Sequence, residues 1–74
     1  MLNILVTGAG GKIGVSMTRA LEQWERETRI IGTEADQYYT YLSEADQTCS
    51  VPMADAESYA DRLKEVVQSE LIDV

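Results

Sequence analysis

Thr7-Gly8-Ala9-Gly10-Gly11-Lys12-Ile13-Gly14 follows directly on the apolar run Ile4-Leu5-Val6 and opens a stretch whose apolar residues return with helical period. A short apolar run closed by glycines suits a strand buried on both faces, as strands of parallel sheets are. Strand, glycine cluster, helix is therefore the reading that decides the fold. In this setting Gly8 permits a tight turn, Gly10 and Gly11 let a ligand approach the backbone, and Gly14 lets the helix pack near the strand. The unpaired amides at the helix start, aided by the helix dipole, bind phosphate or carboxylate. Lys12 adds a point charge. The same small residues also suit a purely structural strand-to-helix turn with Lys12 in water. The strand-to-helix setting favours ligand binding without naming the ligand.

Outward from the loop, Ile13, Met17, Ala20, Leu21 and Trp24 recur at spacings of 4, 3, 1 and 3, while Arg19, Glu22, Gln23 and Arg26 fall elsewhere. That is one face of an amphipathic helix, and it places Trp24 in the core. Arg29 to Thr33 reads as a second strand. Gln37 to Ser43 reads as one or two irregular helical turns, with Tyr38, Tyr39 and Tyr41 packing on the sheet edge. Thr48 to Val51 reads as a third strand, ended by Pro52, which has no N–H for a ladder. Asp55 suits an N-cap for a helix carrying Tyr59, Leu63, Val66, Val67 and Leu71. Ile72-Asp73-Val74 is where a fourth strand begins. The expected fold is α/β, a Rossmann-like doubly wound parallel sheet of three strands plus a truncated fourth. Residues 1–74 then form a single domain, a piece of a longer chain and marginally stable alone.

Composition narrows the function classes. With 45% hydrophobic and 26% charged residues and one proline, the chain is neither disordered nor low-complexity, so a packed core is expected. It has no histidine, which removes Ser-His-Asp and Cys-His catalysis and HExxH zinc sites from these residues. The single Cys49 has no internal disulfide partner and reads as a buried, inert thiol. A net charge of −7 argues against nucleic acid as a partner. The charge is uneven, however. Residues 1–33 carry four bases and three acids, and residues 34–74 two bases and ten acids, so the glycine-loop half is the better host for a small anionic substrate. No stretch reads as a signal peptide or a bilayer span, and the expected location is cytoplasmic. Glu34 stands twenty residues after Gly14, where dinucleotide-binding folds place a ribose-binding acid. A solvated turn carboxylate fits it equally well, and fits Asp36 better.

Two family resemblances compete. The loop alone resembles the TGxxGxxG fingerprint of extended short-chain dehydrogenases and nucleotide-sugar epimerases, with Gly8, Gly11 and Gly14 in register. That resemblance implies NAD(P) held by Gly8, Gly11, Ile13 and Glu34. Val51-Pro52-Met53 stands where that family has a Gly-Asp pair; its Tyr-x-x-x-Lys pair, missing from these residues, would lie downstream of residue 74 and so decides little. Over its whole length the chain looks more like the pre-ATP-grasp domain of ATP-grasp ligases similar to the carbamoyl-phosphate synthase large subunit. The resemblance rests on Asn3 to Gly11, Arg19-Ala20-Leu21, Ile31 to Asp36, Ala45-Asp46, Val51-Pro52, Tyr59 with Leu63, and Ile72-Asp73-Val74. It implies a Rossmann-like domain that precedes the ATP-grasp domain and positions a small carboxylate or phosphate substrate through its glycine loop. The candidate binding residues are Gly8, Ala9, Gly10, Gly11, Lys12, Ile13, Gly14 and Glu34, the last standing where that family more often has aspartate. ATP and Mg would be bound by later domains, and the chain alone would catalyse nothing. A third class is a binding-only module whose sheet is completed by a partner chain.

Overall fold

The computed structural model describes all residues from Met1 to Val74. Six elements follow in order: β1 (Leu2–Thr7), α1 (Lys12–Glu22), β2 (Thr28–Glu34), α2 (Gln37–Leu42), β3 (Gln47–Ser50) and α3 (Tyr59–Ser69). The strands form one sheet in the order β1-β2-β3, and both pairings are parallel. Leu2 pairs with Thr28 and Thr7 with Thr33; Ile31 pairs with Gln47 and Glu34 with Ser50. This is the expected α/β, Rossmann-like arrangement, and its period-2 alternation explains the packing.

Alternate strand residues feed two separate cores. Ile4, Val6, Ala9 and Ile30 form one, joined by Leu2, Leu21 of α1 and Ala45. Ile31, Val51 and Val66 of α3 form the other, joined by Leu5, Cys49, Tyr59 and Ile72. Helices therefore cover both faces, which is what a parallel sheet requires. Ile30, Ile31 and Val66 are the largest apolar side chains fully withdrawn from water. Each contributes roughly 1.5–3 kcal/mol of transfer free energy. Cys49 is half-buried on the α3 face with its thiol free.

Several local expectations need correction. The periodic face of α1 does not all enter the core: Gly14 and Thr18 are its buried residues, whereas Ile13 is 81% exposed, Met17 50% and Trp24 49%. Small residues win the interior because α1 lies so close to the loop that a β-carbon on Gly14 would overlap the carbonyl of Gly8. Thr18 satisfies its buried hydroxyl by donating to the Gly14 carbonyl at 2.9 Å. Tyr38 and Tyr41 stand mostly in water on α2, and Tyr39 is about half exposed. Asp36 is no idle turn carboxylate, because it caps α2 by accepting from the Tyr38 amide at 2.7 Å. Asp55 caps nothing: residues 53–59 run through turns closed by Ala56 N–H to Met53 and Tyr59 N–H to Ala56, and α3 starts only after Ser58.

The truncated fourth strand is not formed. Leu71 leaves α3 with φ 54°, and Ile72 to Val74 run beside the outer edge of β1 without entering the ladder. Asp73 N–H donates to the Asn3 carbonyl at 2.8 Å, and Leu5 N–H to the Val74 carbonyl at 2.7 Å. Only Asp73 and Val74 make these edge bonds; Ile72 donates instead to the Val67 carbonyl at 3.0 Å, back toward α3.

Candidate functional site

The glycine loop leaves the carboxyl end of β1 and is fastened at once to β2. Gly8 takes φ 61°, a left-handed conformation that residues with a β-carbon adopt only at a cost. Ala9, fully buried, donates its amide to the Thr33 carbonyl at 3.1 Å. Gly10 donates its amide to Oε2 of Glu34 at 2.8 Å. It is pressed so tightly on α2 that a β-carbon there would overlap the Tyr39 carbonyl. Gly11 closes the turn by donating to the Gly8 carbonyl at 3.0 Å.

Three loop amides are thus used inside the protein, and fewer of them stay free than the sequence suggests. Gly11 is the N-cap residue of α1 and supplies no side-chain cap, and the first helical bond is Val15 N–H to the Gly11 carbonyl. The amides of Lys12 and Ile13 have no acceptor in the protein and carry the positive end of the helix dipole. The Lys12 side chain is exposed and pairs with no carboxylate, since the three ion pairs use Arg19, Arg29 and Arg62. Together these groups can hold a small anion. Of the residues singled out by sequence, the fold brings Gly11, Lys12 and Ile13 to this surface. It commits Ala9, Gly10 and Gly14 to packing, and turns Glu34 toward the loop itself.

Glu34 also lines a crevice of about 210 Å³ at the carboxyl ends of the strands, with Gly8, Thr33, Ala35, Val51 to Ala54 and Tyr59. Open parallel sheets place ligands outside the carboxyl ends of their strands. Pro52 and Tyr59 enter the site from positions remote from the glycine motif. Pro52, two residues past the end of β3, was the one signal by which they could have been found. A larger open groove of about 850 Å³ lies on the other side of the loop, between Leu2, Ile4 and Val6 of β1, Ile13 and Met17 of α1, and Trp24 just past the end of α1. Gly8 borders both spaces.

Other charged residues have structural partners. Arg29 bonds the carboxylate and carbonyl of Glu70 and reaches Gln47, tying the end of α3 to the sheet. Asp46 accepts from the Ile30 amide at 2.7 Å and extends the pairing of β2 and β3. The bidentate Arg19 hydrogen bond holds the Glu44 carboxyl below the ordinary carboxylate range, and the same bond raises the guanidinium. No group of three or more His, Cys, Asp and Glu side chains is placed to hold a metal ion, and no helix is long and apolar enough to cross a membrane.

No curated protein and no solved structure matches the chain. A protein-family model does, over residues 4–74, and its description is "PylC-like, N-terminal domain". The match runs from within β1 through the glycine loop and all three helices to the segment against β1. The chain therefore belongs to the PylC-like N-terminal domain family, an N-terminal domain associated with ATP-grasp ligases.

Proposed function

We propose that this chain is the substrate-positioning N-terminal domain of an ATP-dependent, carboxylate-activating ligase of the carbamoyl-phosphate synthase-like kind. One observation carries the reading: the unpaired Lys12 and Ile13 amides, beside the free Lys12 ammonium, at the carboxyl end of β1 in a domain of this family. A carboxylate or phosphate group of the substrate would sit on those amides, oriented by the dipole of α1. In such ligases Mg-ATP supplies the phosphoryl group that converts a carboxylate into an acyl phosphate, from which an amine or similar nucleophile displaces phosphate. The residues present do not suit Mg-ATP, because no carboxylate cluster is available for the metal. ATP and Mg are accordingly assigned to other domains, and residues 1–74 act by binding and orienting, in a cytoplasmic protein.

The open apolar groove supports a covering partner, either further polypeptide of the same protein or a partner chain that completes the sheet beyond Ile72 to Val74. The acidic remainder of the surface does not suit nucleic acid.

A second reading, the NAD(P)-binding half of an extended short-chain dehydrogenase or epimerase, is favoured by Glu34, which ends β2 and lines the crevice at the strand ends. Titrating the intact gene product with Mg-ATP and with NAD(H) separates the two. The first reading predicts ATP binding and ATP consumption dependent on a carboxylate substrate; tight NAD(H) binding without an ATP response would reverse the order.

A further inference from the structure

Glu34 is the residue whose placement departs most from its reading as a ligand contact. One of its carboxylate oxygens accepts the Gly10 amide at 2.8 Å across 24 residues of sequence, while the residue also lines the crevice at the strand ends. It has no cationic partner, since the ion pairs lie elsewhere. The neighbouring Thr33 carbonyl takes the Ala9 amide, so two successive residues of β2 grip two successive residues of the loop. On its far side Gly10 meets the Tyr39 carbonyl. Gly10 is thereby pinched between the end of β2 and α2, and the backbone of Gly11, Lys12 and Ile13 follows from that point.

We propose that Glu34 is a positioning residue, an internal clamp that fixes where the Lys12 and Ile13 amides point and does not itself hold the ligand. This deepens the anion-site reading and rests on it. Two properties of the carboxylate then oppose each other. Its oxygen, as acceptor, orders the loop and favours anion binding. Its charge, close to the loop, repels an anion. Glutamine keeps an acceptor oxygen and drops the charge; alanine drops both.

The test uses the 74-residue chain, inorganic phosphate as probe and amide NMR as readout. In Glu34→Gln the Gly10 amide proton should stay near its wild-type shift, and phosphate should bind at least as tightly as in wild type. In Glu34→Ala the Gly10 amide should move upfield, and phosphate should bind about 3- to 10-fold more weakly than in Glu34→Gln, the range for one lost hydrogen bond. If Gln and Ala bind phosphate equally, or if the Gly10 amide is unmoved in Glu34→Ala, the clamp is wrong. If phosphate perturbs no amide in any variant while Gly10 follows the Gln and Ala pattern, the clamp stands and the anion-site reading fails. Where Glu34→Ala unfolds, Glu34→Met takes its place: it fills the same space without an acceptor oxygen, and the same weaker phosphate binding and upfield Gly10 amide are expected of it.

Discussion

Asn3 and Asp73 are bonded in both directions: the Asn3 amide donates to Oδ2 of Asp73 at 2.8 Å, and the Asp73 amide donates to the Asn3 carbonyl at 2.8 Å. The Asn3 side chain adds a bond to the Leu71 carbonyl at 3.0 Å. The stretch after α3 is held on the outer edge of β1 by side chains as much as by backbone, and it shields amides that an open edge would leave to water. Asp73→Ala should cost about 1 kcal/mol of stability. The sharper readout is hydrogen exchange, where the Asn3 and Leu5 amides should lose protection while those of β2 keep theirs.

Gly10 and Gly11 adjoin in sequence but stand in opposite surroundings. Gly10→Ala drives a methyl into the Tyr39 carbonyl and should destabilise by about 1–3 kcal/mol, read by urea unfolding. At Gly11 a β-carbon meets only the Gly8 carbonyl, at 3.4 Å. Gly11→Ala should therefore fold nearly as well as wild type, and any deficit should appear in phosphate binding. Equal stability losses at the two positions would contradict the close packing of Gly10 on α2.

Arg29 joins Glu70 and Gln47 in a half-buried network below the second core. Arg29→Met removes the charge partner of a shielded Glu70 and should cost about 2 kcal/mol, between the values for exposed and buried pairs. Replacing both residues with apolar ones should recover part of that loss. A double-mutant cycle on unfolding free energies measures the coupling.

Glu44 provides a pH signature. Its carboxyl is held below the ordinary range by the hydrogen bond from Arg19, then by the guanidinium charge, with desolvation opposing. Because the folded value is the lower one, the pair contributes its stability at pH above the ordinary glutamate value. That contribution disappears as pH falls through the folded value. Both groups are exposed, so the energetic effect is small and salt-screened. A carbon-detected titration of the Glu44 carboxyl should show the depressed midpoint in wild type and the ordinary one in Arg19→Met.

Trp24 reports on the open groove. In the 74-residue chain it is 49% exposed and should emit as a partly hydrated indole, quenched by acrylamide. If further polypeptide covers β1 and α1, as proposed above, its presence should shift the emission to the blue and reduce quenching. Met17→Glu should prevent that shift while leaving the melting temperature of the 74-residue chain within a degree or two, because Met17 already faces water.

By itself, the sequence determined the order of elements and the two buried faces of the sheet. The continuous apolar run Ile4-Leu5-Val6 and the pair Ile30-Ile31 can be buried only in a sheet covered on both sides, and glycines after the first strand admit a tight strand-to-helix turn. These are local consequences of side-chain period and backbone sterics, and they required no knowledge of distant contacts. The tertiary structure decided which loop amides stay free. Gly10 and Glu34, Gly10 and Tyr39, and Asn3 and Asp73 are far apart in the chain, so whether an amide is spent internally or left for an anion depended on long-range packing. The same holds for α1, whose apolar stripe is continuous in sequence. Close approach of Gly14 to the loop divided it between buried Gly14 and Thr18 and an open groove lined by Ile13, Met17 and Trp24.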